Sequence, residues 1–301
     1  MSLRITRNFC FSIFSLISFS NAVFAQENNL NAQIADISRE VDGIVGAGVM
    51  NLKSKEFLIW NEDHKFPMQS VFKFPLAMAV LDLVDKRELR LEQKIHLTKK
   101  DYFANTYSPM RDKYPEAEVD VTLAELLTYT VSLSDNIACD ILFRLVGGVK
   151  PVDNYIHSLG VTDIAIVANE EQMHSGWEVQ YTNWCRPKAM LELLDIFYQG
   201  KKLSKPSSDF LWKIMTDGPT GPKRIKGLIG PDTVVAHKTG TSGSNSQGLM
   251  GGVNDVGIVK LKKGQDFAIV VYVSDTHSKT EVSEQVIAKI AKAAADYFSN
   301  K

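Results

Sequence analysis

Ser70-Val71-Phe72-Lys73-Phe74-Pro75-Leu76-Ala77-Met78-Ala79-Val80-Leu81-Asp82-Leu83-Val84 is an apolar run without glycine. Its one proline falls in the first turns, where a missing N–H disrupts a helix least. The run predicts a buried helix. Upstream, Val45–Met50 and Phe57–Asn61 read as two strands joined by the polar turn Lys53-Ser54-Lys55, and an amphipathic helix over Asn29–Val41 precedes them. Downstream, helical patterns continue over Leu123–Tyr129, Asn136–Val146, Val152–Leu159 and Pro187–Tyr198. Strand character returns at 233–238, 253–261 and 267–273, before a closing helix over Val282–Phe298. Strands near both ends with helices between predict an α+β chain: one mostly antiparallel five-stranded sheet flanked by terminal helices, plus an inserted all-helical part. The expected division is a sheet domain of 26–68 and 216–301 around a helical domain of 69–215. The Gly/Ser-rich stretch Gly240–Gly252 reads as loop around a site.

The composition, 45% hydrophobic and 23% charged, is that of a globular protein and excludes a disordered chain, a collagen repeat or a coiled-coil rod. A formal net charge of -1 gives no footprint for nucleic acid. Three cysteines are too few for a disulfide scaffold; Cys139, in an apolar helical stretch, is expected to be a buried free thiol. The first 25 residues read as a signal peptide. Arg4 and Arg7 form its basic start, Phe9–Phe19 its apolar stretch, and Val23-Phe24-Ala25 a cleavage site before Gln26. Serines interrupt that stretch, which is short for a span of ~20 residues, and Cys10 lacks the small residues of a lipoprotein signal. A periplasmic or secreted protein is expected, with no stable membrane association after cleavage.

The six histidines show no metal-ligand spacing, and there is no GxGxxG after the first strand, no GxxxxGK[ST] and no GxSxG. Ser70-Val71-Phe72-Lys73 is the chain's S-x-x-K. On a helix its Lys lies one turn from the Ser, where an amine eases removal of the hydroxyl proton. A helix-capping Ser followed by a solvated Lys is the competing reading. Ser134-Asp135-Asn136, taken alone, reads as a helix cap. Lys238-Thr239-Gly240, taken alone, reads as a strand end with a flexible turn. Their order and spacing carry more than any one alone.

S-x-x-K, then S-D-N, then K-T-G is the signature set of class A β-lactamases and penicillin-binding proteins. The chain resembles a class A serine β-lactamase along essentially its whole length after the leader. The resemblance implies a β-lactamase/transpeptidase-like fold with the active site at the domain interface. It also implies hydrolysis of penicillins and cephalosporins through an acyl-enzyme on Ser70, by a monomer without metal or organic cofactor. Lys73 or Glu170 would take the serine proton, and Ser134 would relay a proton beside Lys238. Glu170 would activate the hydrolytic water, with Glu171 as its rival for that role. Asn136 would meet the acylamino side chain, and Thr239, Thr241 and Arg224 the substrate carboxylate. The N–H groups of Ser70 and Thr241 would form the oxyanion hole. Gly240, Ser242 and Gly243 line the strand edge, and Tyr107 stands as an aromatic wall. Arg224 reads alternatively as part of a solvated basic turn with Lys223 and Lys226, and Tyr107 as plain packing.

The loop around Glu170 departs from the common family pattern. Ala168 replaces an Arg, Asn183 replaces its salt-bridge partner, and His174 replaces an Asn that helps hold the water. Asn183 is expected to hold the loop by hydrogen bonds instead. These departures resemble the PER- and VEB-type extended-spectrum branch and imply access for bulky oxyimino-cephalosporins. A DD-peptidase, or a sensor that acylates without turnover, is the alternative; a binding protein without activity is a further one.

Overall fold

The computed structural model describes residues 30–262 and 264–300; the leader 1–25, its cleavage point and Cys10 lie outside the described residues. Residues 30–38 form α1, followed by β1 (Ile44–Asn51), β2 (Phe57–Trp60) and the short β3 (Phe66–Pro67). A 3-10 turn, Gln69–Phe72, runs directly into α2 (Lys73–Asp85). The helical block then contains β4 (Lys94–Leu97), α3 (Pro109–Lys113), β5 (Val119–Thr122), α4 (Leu123–Ser132), α5 (Asn136–Leu145) and α6 (Val149–Ser158). It continues through β6 (Ile164–Ala165), α7 (Glu170–Met173), β7 (Trp184–Cys185), α8 (Pro187–Gln199) and α9 (Lys205–Thr216). β8 (Val234–Thr241), β9 (Met250–Lys260), β10 (Phe267–Thr276) and α10 (Thr280–Ser299) close the chain.

The main sheet has the order β2-β1-β10-β9-β8, and every neighbouring pair is antiparallel. Its central strands are apolar on both faces because both are covered. On β10, Phe267, Ile269, Val271 and Val273 join a core under α10, with Leu30 and Ile34 of α1; Ala268, Val270 and Tyr272 join the core shared with the helical block. On β1, Gly46 faces that second core, where an added Cβ would lie 2.2 Å from the ring of Phe66. That space seats Phe66 against Tyr272 at 5.4 Å between ring centroids.

The Gly/Ser-rich loop is shorter than expected. Gly240 and Thr241 pair with Asn254 and Val253 as ordinary ladder residues, and β9 already begins at Met250, so only 242–249 lie outside the strands. The small sheets β3-β7-β6 and β4-β5, and helices α3 and α9, lie in stretches where the sequence pattern predicts no separate element. Both Cys139 and Cys185 are free and buried. Among the described residues no helix is long and apolar enough to cross a membrane, and no cluster of His, Cys, Asp or Glu could hold a metal ion.

Candidate active site

Ser70 occupies the second position of the 3-10 turn, and Lys73 opens α2 three residues later, so the two side chains meet on one face. Lys73 Nζ lies 3.1 Å from Ser70 Oγ and is fully buried. It also donates to the carbonyl of Ser134 at 2.8 Å and to Asn136 Oδ1 at 2.6 Å, and stands 2.8 Å from Glu170 Oε1. Four oxygens thus surround a group with three hydrogens. The Glu170 contact is a close ion pair rather than an aligned hydrogen bond, which leaves Oε1 free to accept from another donor. Removing a charge from such a buried pair strands its partner, so each ion requires the other.

Ser134 adopts φ +58, a conformation that costs a non-glycine residue about 1–3 kcal/mol. That backbone turns its carbonyl to Lys73 and its hydroxyl to Lys238, whose Nζ donates to Oγ at 2.9 Å. Asp135 caps α5, accepting from Ala138 N at 2.8 Å, and its carboxylate also holds Ser108 Oγ and Met110 N. The helix-cap reading of this tripeptide therefore holds alongside its place in the cluster. Burial pushes Lys238 well below its ordinary range, and the nearby Lys73 cation pushes the same way; Asp255 and Glu170 oppose them. Gly240 brings β8 against the Ser70 turn: a Cβ there would lie 2.6 Å from Met68 O and 3.2 Å from Ser70 N. Any side chain would drive the strand away from the serine.

The loop carrying Glu170 is held by two single side chains. Asn183, fully buried, accepts from Val167 N at 2.7 Å and Ala168 N at 2.9 Å, and donates to Ala168 O at 2.7 Å. From α5, Asp140 accepts from Glu170 N at 2.8 Å and Glu171 N at 2.9 Å. Burial raises Asp140 to about 7, with the Glu170 charge acting in the same direction and the two amide bonds against it. Asn169 and Gln172 close a capping box around α7. Glu170 is 2% exposed, whereas Glu171 faces solvent. His174 turns back to the loop: Nδ1 sits 2.7 Å from Glu170 O, and the ring meets Phe103 edge-on.

Two cavities meet at Ser70, Asn136 and Thr241. The smaller, about 320 Å³, is lined by Tyr107, Ser134, Arg224, Thr239, Gly240 and Thr220. Arg224 is buried, not part of a solvated basic turn: Nη1 donates to Gly240 O and Asn254 O, Nη2 to Thr241 Oγ1 at 2.7 Å, and Nε to Glu284 of α10. Thr239 Oγ1 donates to Thr220 Oγ1 at 3.0 Å, and Tyr107 stands 58% exposed at the rim. The larger cavity, about 620 Å³, opens between the Glu170 loop and residues 242–246; Gln69, His174, Trp177, Gln180, Ser242 and Gly243 line it. Asn136 Nδ2 donates to Thr106 Oγ1 at 2.9 Å.

The profile of the Beta-lactamase enzyme family matches residues 29–298. The chain belongs to this family. It is 44% identical to beta-lactamase VEB-1 of Pseudomonas aeruginosa, over 96% of each chain. It is 42% identical to the extended-spectrum beta-lactamase PER-1 of the same organism, over 95% of this chain and 93% of the relative. The TLA-1 extended-spectrum β-lactamase superposes with a TM-score of 0.88 at 47% identity, covering 90% of this chain and 98% of that one. A β-lactamase from Chitinophaga pinensis gives 0.87 at 52%, covering 89% and 98%. The chain is thus a class A serine β-lactamase with the fold expected from its three motifs.

Sequence reasoning did not single out Gln69, Asp140, Gln180, Glu284 or Thr220. Asp140 was within reach, lying one helical turn beyond Asn136 on α5. Gln69 directly precedes Ser70, at φ +51, and donates to Gln180 Oε1 at 2.7 Å. Nothing local marks Gln180 or Glu284, which only the tertiary fold brings in.

Proposed function

We propose that this β-lactamase opens the ring on Ser70 and releases the product with water activated by Glu170. The observation that carries the reading is Lys73 Nζ, shared between Ser70 Oγ and Glu170 Oε1. The serine proton has a short route through water to Glu170, or to Lys73 once the ammonium has passed one of its own protons to Glu170. The amides of Ser70 and Thr241 stabilise the developing oxyanion, each such donor contributing about 3–4 kcal/mol. Ser134, held by Lys238, returns the proton to the departing ring nitrogen. Lys238, Arg224, Thr239 and Thr241 receive the substrate carboxylate, drawn by three buried cations around a narrow cleft. Asn136 bonds the acylamino group, and Tyr107 covers the entrance.

The larger cavity accepts the oxyimino side chain of extended-spectrum cephalosporins, its floor being a loop held by hydrogen bonds. The active site lies between the sheet domain of 26–68 and 216–301 and the helical domain of 69–215. The protein works as a periplasmic or secreted monomer after removal of residues 1–25. The test uses the chain from Gln26, with a chromogenic cephalosporin and an oxyimino-cephalosporin. Many turnovers of both are expected. A single stoichiometric burst in both assays contradicts the reading of deacylation by Glu170, and a burst with the oxyimino-cephalosporin alone contradicts the reading of the larger cavity.

A further inference from the structure

On the face of the main sheet away from Lys238 sits a buried pair to which no step of the reaction is assigned. His237 and Asp255 share that face with Val235 and Val253, which pack toward the terminal helices. Their side chains are 1% and 0% exposed, and His237 Nδ1 lies 2.9 and 3.0 Å from the two Asp255 oxygens. Asp255 Oδ2 also accepts from Ile225 N at 3.1 Å. His237 precedes Lys238, and Ile225 follows Arg224. One carboxylate therefore fastens the backbone neighbours of both cations assigned to the substrate carboxylate.

We infer that Asp255, oriented by His237, is the positioning residue for Lys238 and Arg224 and a buried counter-charge to Lys238. The inference rests on the reading of the site given above. Buried His237 Nε2 has no partner among the described residues. The carboxylate oxygens beside Nδ1 make that nitrogen the donor, so the imidazole N–H orients Asp255. Lys238 is faced by Asp255 from β9, by Glu170 from α7, and by the cations Lys73 from α2 and Arg224 from the segment before β8. Lys226 is faced by Asp255 and Asp217, and α10 places Glu284 on Arg224. Burial and Lys73 both act to deprotonate Lys238, and Asp255 opposes them from the far side of the sheet.

Asp255→Asn keeps an acceptor oxygen and removes the charge. With a carboxylate-bearing chromogenic cephalosporin, the alkaline limb of kcat/KM is expected to move about one unit toward lower pH. KM should rise about threefold to tenfold, with kcat within about twofold. His237→Ala is expected to raise KM likewise, and His237→Asn, whose amide still donates to Asp255, to recover most of the loss. An Asp255→Asn enzyme with a lowered melting temperature but unchanged limb and KM overturns the inference, since the pair is then structural only. Should Asp255→Asn not fold, equal KM values for His237→Ala and His237→Asn overturn it equally. An unaltered protein that turns over no cephalosporin overturns the reading of the site, and this inference with it.

Discussion

The two walls of the cleft are built differently. On one wall, Ser70, Lys73, Ser134 and Lys238 are fixed by a helix start, a helix cap and a strand, and hydrogen-bond one another. On the other, Glu170 sits on a one-turn helix whose place depends on Asn183 and Asp140, side chains from distant parts of the chain. The first wall is rigid because regular elements carry it. The second depends on six hydrogen bonds to those two residues, one of them from Asn183 to Met173 Sδ, and it borders the larger cavity. On the proposed mechanism the first wall holds the nucleophile and the second the glutamate that activates the hydrolytic water, so damage to the second should tell most on deacylation.

The largest effect comes from breaking the first wall. Ser70→Ala should lower turnover of a chromogenic cephalosporin by about 10⁴-fold or more, since groups that act as a unit fail together. No covalent adduct should appear by mass spectrometry of the intact protein. Breaking the second wall is milder. Asn183→Ala removes four hydrogen bonds, one of them to Met173 Sδ, and should cost about 2–4 kcal/mol of stability. Its acyl-enzyme should accumulate, because deacylation slows while the acylation burst keeps its rate; equal slowing of both steps would contradict the division.

Asp140 provides a sharper probe through pH. Its folded value, about 7, is above the 3.8 of the free carboxyl, so protonation favours the folded state. That contribution is complete below about pH 4 and is lost as pH rises through 7. Relative to Asp140→Asn, the unaltered protein should therefore lose stability between pH 4 and 7 in urea unfolding, and the gap should level off above. A gap independent of pH would refute the assignment. The smallest effect is predicted for Glu171→Ala, which removes a solvated carboxylate and should change kcat/KM by less than about twofold.

The same contrast explains what was legible in the sequence. The first wall is written in local motifs, so Ser70, Lys73, Ser134, Asn136 and Lys238 could be named from spacing and order, and β1, β2 and β8–β10 from their apolar runs. The expected strand end at Lys238-Thr239-Gly240 fell short because Gly240 and Thr241 pair across to β9, a contact invisible locally. The helix over 205–216 begins at Ser204, with Pro206 in its first turn. Those are start signals, but the apolar stripe behind them is interrupted by polar residues. Asn183 was foreseen as a hydrogen-bonding anchor because it stands where the family has a charged partner. Asp140 and Gln180 were not foreseen, since their meaning depends on which loop folds against them.

Glu170 is proposed to drive deacylation from the wall facing the nucleophile. Glu170→Ala tests it directly, with cephalosporin hydrolysis and the mass of the intact protein followed together. A burst of about one equivalent, negligible turnover afterwards and a stable adduct on Ser70 are expected. Undiminished turnover, or loss of the adduct along with turnover, would contradict it.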